Sequence, residues 1–96
     1  MAKIRKMVLD VMKPHDPSVI VYTEKLADIE DIYGVNSSVV EIDEEVENLK
    51  ITLEGDDMEF SEIERIINEL GGSIHSIDRV LSGEKIIEDV VTPQDS

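Results

Sequence analysis

From Ile4 to Lys13 the chain alternates, placing Arg5, Met7, Leu9 and Val11 on one side of an extended backbone and Ile4, Lys6, Val8, Asp10 and Met12 on the other. A period of two over that length predicts a strand, and Pro14, which has no N–H for a ladder, stops it. Asp16 before Pro17 predicts a helix start, because the carboxylate can cap a free N–H while proline fits the first turn. Tyr22, Leu26, Ile29 and Tyr33 then recur at helical spacing as one apolar stripe, and Gly34 ends it. Val35 to Val46 predicts a second strand, with Val40 and Ile42 on one face and Val39, Glu41, Asp43 and Glu45 on the other. Glu47-Asn48 is the predicted turn. Leu49, Ile51 and Leu53 follow in alternation with Lys50, Thr52 and Glu54, so the second and third strands form a hairpin.

Gly55-Asp56-Asp57 breaks this pattern, and Ser61 with Glu64 has the spacing of a capping box that opens a second helix. Its buried face is Phe60, Ile63, Ile66, Ile67 and Leu70, and Gly71-Gly72 closes it. Ser73 to Leu81 reads as a fourth strand of divided parity: Ile74 and Val80 fall on one face, Ile77 and Leu81 on the other. Either a bulge or burial of both faces reconciles them. Ser82-Gly83 is a turn, Lys85 to Val91 a candidate short fifth strand, and Thr92 to Ser96 a polar tail.

The order β-α-β-β-α-β predicts an α+β, ferredoxin-like sandwich in one domain, residues 1–91, with the tail 92–96 outside it. Right-handed crossovers arrange the antiparallel sheet as 4-1-3-2, with both helices on one face and the other face open. That open face should carry Lys6, Val8, Asp10, Met12, Val39, Glu41, Asp43, Glu45, Lys50 and Thr52. Val8, Met12 and Val39 on it predict partial covering by a second copy of the chain.

Composition narrows the chemistry. With 96 residues there is material for one core, and with only two Tyr, one Phe and no Trp it must be built from Ile, Val and Leu. A base-stacking platform is not in prospect. The absence of cysteine excludes disulfides, thiolate nucleophiles and Cys-ligated metals. Apolar runs are too short for a membrane span or a secretion signal, so the expectation is a cytoplasmic protein with no membrane partner. The net charge of −14 is uneven: residues 1–25 sum to +2 and residues 26–96 to −16. A phosphate backbone would be repelled, which argues against nucleic acid and for cations as counterparts.

Two clusters follow from the topology. The end of strand 1, the hairpin, and the start of strand 4 share one end of the sheet, which gathers Lys13, His15, Asp16, Glu47 and His75 as a candidate ligand-binding set. The plainer readings are a helix cap for Asp16 and ordinary loop or strand roles for the histidines. Glu41, Asp43 and Glu45, at period two, predict three carboxylates on one strand face, with Asp10 of strand 1 on the same side. Their mutual repulsion calls for a counter-charge, either Lys50 or a divalent cation such as Ca²⁺ taking oxygen ligands. Catalysis finds no support. His75-Ser76-Ile77-Asp78 holds triad residue types, yet neighbours on a strand point to opposite faces. No phosphate-binding loop or metalloprotease motif is present.

The segments Leu9-Asp10-Val11-Met12-Lys13-Pro14-His15, Val40-Glu41-Ile42-Asp43, Gly71-Gly72-Ser73-Ile74-His75-Ser76-Ile77-Asp78 and Thr92-Pro93-Gln94-Asp95 resemble a small, mainly archaeal family of unknown function, domain family 211. The resemblance covers nearly the whole chain and implies a ferredoxin-like fold and a tendency to oligomerise. It implies no activity. The resulting expectation is a homo-oligomeric small-ligand-binding or regulatory module. The alternative is a structural assembly in which divalent cations bridge acidic faces of neighbouring subunits.

Overall fold

The computed structural model describes residues 2–85. Its elements run β1 (Ile4–Pro14), α1 (Val19–Ala27), β2 (Ile32–Ile42), β3 (Val46–Gly55), α2 (Phe60–Glu69) and β4 (Ser73–Ser82). All four strands are antiparallel neighbours in the order β2-β3-β1-β4, the expected order read from the other edge. The candidate fifth strand, Lys85 aside, and the polar tail lie outside the described residues.

The core is one layer between sheet and helices. Met7, Leu9 and Val11 of β1 and Leu49, Ile51 and Leu53 of β3 present their alternate side chains to Tyr22 and Leu26 of α1 and Ile63 and Ile67 of α2. Both helices therefore cover the same sheet face. Each of these side chains is essentially inaccessible to water, which at roughly 1.5–3 kcal/mol for a large aliphatic group makes this layer the main source of stability.

Local chemistry moves several boundaries away from the sequence expectation. Ser18, not Asp16, takes the N-cap position of α1, and its carbonyl accepts the N–H groups of Val21 and Tyr22. Asp16 stands two residues earlier, joined to Pro17 by a cis peptide bond. The helix ends at Ala27, well before Gly34. Asp31 takes a left-handed conformation, φ 73°, and the chain enters β2 at Ile32. Ile29 still packs on the core, but Tyr33 does not continue the stripe and is 72% exposed. The predicted capping box also fails, because α2 begins one residue before Ser61 and the carbonyl of Glu59 receives the first helical N–H groups.

The hairpin turn lies at residues 43–45 rather than at Glu47-Asn48. Asp43 explains the shift: its Oδ1 accepts the N–H groups of both Glu45 and Val46 at 3.0 Å, and its own N–H donates to the Val46 carbonyl. A short carboxylate that folds back on its own backbone is a turn former, and it competes successfully with strand pairing. Glu47 and Asn48 consequently belong to β3, opposite Lys13 and Met12.

Both outer strands are bulged. On β4 the ladder with β1 skips His75 and Asp78, so Ile74, Ile77 and Val80 all stand opposite core positions Val11, Leu9 and Met7. Of the two ways to reconcile the parity of this strand, the bulge is the one present. On β2 the ladder skips Val40, which leaves Val39 opposite Leu49 on the helix side and Glu41 opposite Asn48 on the open side. Val39 therefore leaves the predicted open-face set. At the end of α2, Gly71 supplies the left-handed turn, φ 91°, and Gly72 lets Tyr22 and β1 approach.

Candidate functional site

The end of the sheet where β1 and β2 finish and β3 and β4 begin holds the predicted residues, but the sheet divides them between its two faces. Adjacent residues of a strand point in opposite directions, so Lys13 enters the helix side while Asp10 and Met12 serve the open side.

On the helix side Lys13 is 1% exposed. Its Nζ donates to Glu47 Oε1 at 3.1 Å and weakly to the His15 carbonyl at 3.4 Å, and lies 5.4 Å from the centroid of the Tyr22 ring. Glu47 divides its carboxylate, since Oε2 meets His15 Nδ1 at 2.9 Å. The other ring nitrogen, Nε2, is 3.0 Å from the Glu44 carbonyl. These contacts lower the Glu47 pKa, through the His15 hydrogen bond first and the Lys13 bond next. They raise that of His15, through the Glu47 hydrogen bond first and the Glu44 carbonyl next. Lys13, His15 and Glu47 are thus brought together as predicted. Asp16 is exposed in the loop beside them and belongs to none of these bonds, and His75 is on the other face.

On the open side Asp10, Met12, Glu41, Asp43, Val46, Asn48 and His75 surround a hollow of about 220 Å³. Asn48 anchors it: its Nδ2 donates to Asp10 Oδ1 and lies 3.3 Å from the Val11 carbonyl. Asn48 and Met12 were absent from the predicted site. The signal for Asn48 was readable, since it continues the Lys50, Thr52 alternation of β3 once the turn is placed at Asp43. His75 is the residue that the β4 bulge skips.

The predicted row of strand-2 carboxylates does not exist. Glu41 is on the open face, Asp43 and Glu45 are in the turn, and Asp43 spends Oδ1 on two backbone N–H groups. Those bonds, Val46 first and Glu45 second, hold the Asp43 carboxyl below the usual range, the reverse of the upward shift that repulsion would cause. Lys50 pairs at 3.8 Å with Asp78 of β4 rather than with β2. Among the described residues, no three His, Asp or Glu side chains gather closely enough to hold a metal ion.

A larger concavity, about 550 Å³, lies between the end of α1 and the start of α2. It is mostly acidic, and its Arg65 is already engaged by Glu62 and Glu69. The open-face hollow has the more varied chemistry: carboxylate acceptors, an amide, an imidazole and a thioether around one space. It is lined by no serine, threonine or lysine side chain. No helix among the described residues is long and apolar enough to cross a membrane.

Fold and hollow together define a small ferredoxin-like α+β domain with a polar pocket on the exposed face of its sheet. The chain belongs to the DUF211 family, described as uncharacterized ArCR, whose profile matches residues 5–96. It is similar to the uncharacterized protein MJ0319 of Methanocaldococcus jannaschii, with 54% identity over 92 residues, covering 96% of this chain and 95% of that protein.

Proposed function

We propose that this domain is a homo-oligomeric module that binds a small ligand, with its site in the open-face hollow rather than at the Lys13, His15, Glu47 cluster. The observation that carries the reading is the convergence of Asp10, Glu41, Asn48 and His75 on one hollow on the sheet face opposite α1 and α2. The Lys13 side is closed, its ammonium fully buried and already matched by Glu47, which fits a structural role. Two carboxylates with an amide and an imidazole suit a ligand that is cationic or rich in hydrogen-bond donors. The chemistry supports binding rather than a reaction.

Assembly is supported by apolar surface on the outer strands. Val40 and Ile42 are 60% and 64% exposed on β2, and Ile77 and Val80 are each 49% exposed on β4. This is not the surface expected from the alternation, because Val8 is only 8% exposed, covered by its own chain, and Val39 faces the helices. Outer strands bearing apolar side chains and unpaired backbone are adhesive.

A second reading has specific support. Asp10 and Glu41 share the hollow, so a divalent cation such as Ca²⁺ could be held there if a neighbouring subunit completed its oxygen shell. Native mass spectrometry with and without chelator tests both. The expected result is a multiple of 10.8 kDa that retains a small molecule or ion, with loss of mass or of assembly under chelator marking the cation reading. A bare 10.8 kDa species in every condition would overturn the proposal.

A further inference from the structure

His15 sits between two groups that can only accept hydrogen bonds. Nδ1 faces Glu47 Oε2 at 2.9 Å and Nε2 faces the Glu44 carbonyl at 3.0 Å. A neutral imidazole has one N–H and would turn a bare lone pair toward one of these acceptors, whereas the imidazolium donates to both. We propose that protonated His15 is a latch that ties the β2–β3 turn, residues 43–45, to the loop after β1, and that it lets the turn go as pH rises.

The surrounding groups fit this role. Among the described residues, Lys13 from β1, Glu47 from β3 and Asp43 and Glu44 from the turn are the charged residues that neighbour His15, with Asp16 next to it in sequence. Lys13 holds the second oxygen of Glu47 at 3.1 Å, so losing the His15 proton does not free Glu47 from the sheet. What loses its tie is the Glu44 carbonyl, and with it the turn. Asp43 and Val46 line the open-face hollow, so the latch acts on one wall of that space. The inference stands whether or not the hollow takes a ligand.

The direction of the effect follows from linkage. The His15 pKa is raised above 6.5 by Glu47 and the Glu44 carbonyl. Its contribution is therefore complete below 6.5 and is lost as pH climbs through the raised folded value. Asp43 keeps its charge throughout this window, because its own pKa is lowered from 3.8.

The test is a carbon-detected titration of the His15 imidazole, together with amide exchange at Asp43, Glu45 and Val46. These three N–H groups make the turn's hydrogen bonds. His15 should titrate above 6.5, and protection of the three amides, corrected for intrinsic exchange, should fall severalfold in step with it. His15→Gln, which has no proton to lose, should abolish the step. A midpoint at or below 6.5, or protection that does not follow the titration, would overturn the latch in the parent protein without any variant. A step that persists in His15→Gln would equally overturn it.

Discussion

Tyr22 ties the first helix to the end of the sheet where both faces carry polar clusters. Its ring is buried, its hydroxyl donates to the Leu70 carbonyl at 2.8 Å, and Lys13 lies over its face. Tyr22→Phe removes the hydroxyl and keeps the ring, and so the contact with Lys13. A net loss of about 0.5–1.5 kcal/mol for the hydrogen bond, increased by desolvation of the abandoned carbonyl, sets the cost at about 1–2 kcal/mol. Gly72 turns this into a cycle. A Cβ there would stand 3.0 Å from Tyr22 Oη, 3.1 Å from Tyr22 Cε2 and 3.1 Å from the Met12 carbonyl oxygen. Gly72→Ala should therefore cost about 1–3 kcal/mol by overpacking. Without the hydroxyl, one of the three close contacts disappears, and the double variant should cost less than the sum of the singles by about 0.5–1 kcal/mol. Urea unfolding followed by far-UV circular dichroism at one protomer concentration measures this, since association would shift the midpoint and tyrosine emission changes with the substitution itself. Additivity within about 0.3 kcal/mol would show that the hydroxyl is not what constrains Gly72.

Gly55→Ala should be among the most damaging small substitutions, about 3 kcal/mol or more, because a Cβ would collide with the Asp31 carbonyl oxygen and force the backbone apart; a melting temperature near the parent's would refute this. Asp43 contributes stability that is complete above 3.8 and is lost as pH falls through its lowered folded value, so Asp43→Ala should flatten the acid limb of the urea midpoint between pH 2 and 6, and an unchanged limb would remove the turn argument. Millimolar Ca²⁺ should raise the melting temperature more than Na⁺ at matched ionic strength, and Asp10→Asn should reduce that increment; equal effects of the two salts would discard the bridging cation. Light scattering should show an assembly larger than 10.8 kDa that Ile42→Lys weakens, whereas a monomer at micromolar concentration in the parent would end the oligomer reading.

How far the fold was legible depends on which residues carried the pattern. Met7, Leu9 and Val11, Leu49, Ile51 and Leu53, and Ile63 with Ile67 are periodic over full elements, and all are buried as their spacing implies. Periodicity fails at ends, where a single side chain decides. Tyr33 kept helical phase with Tyr22, Leu26 and Ile29, but a left-handed Asp31 had already ended that course. Asp43 drew the hairpin turn to itself by hydrogen bonding two N–H groups, a local competition that hydrophobic alternation does not register. The β4 bulges were half legible, since the conflict of Ile74 with Ile77 announced an irregularity without its position.

The site was legible as an end of the sheet but not as a face of it, and the difference lies in one-residue shifts. Topology alone brings Lys13, His15, Glu47 and His75 to the same end, and that much holds. A strand passes side chains alternately through the sheet, so every bulge or misplaced turn before a residue exchanges its side. Moving the turn from Glu47-Asn48 to Asp43 gave β3 the residue pair that separates the clusters, Glu47 toward Lys13 and Asn48 toward Asp10. The skipped Val40 sent Glu41 to the hollow and Val39 to the core side, dissolving the predicted carboxylate row. What remains on the helix side is a buried cation, a shared carboxylate and a titratable ring, chemistry that holds a turn in place. What remains on the open side is a hollow lined by carboxylates, an amide and an imidazole, the chemistry on which the proposed ligand site rests. The turn at Asp43 belongs to both, and that shared element couples the pH latch to the pocket.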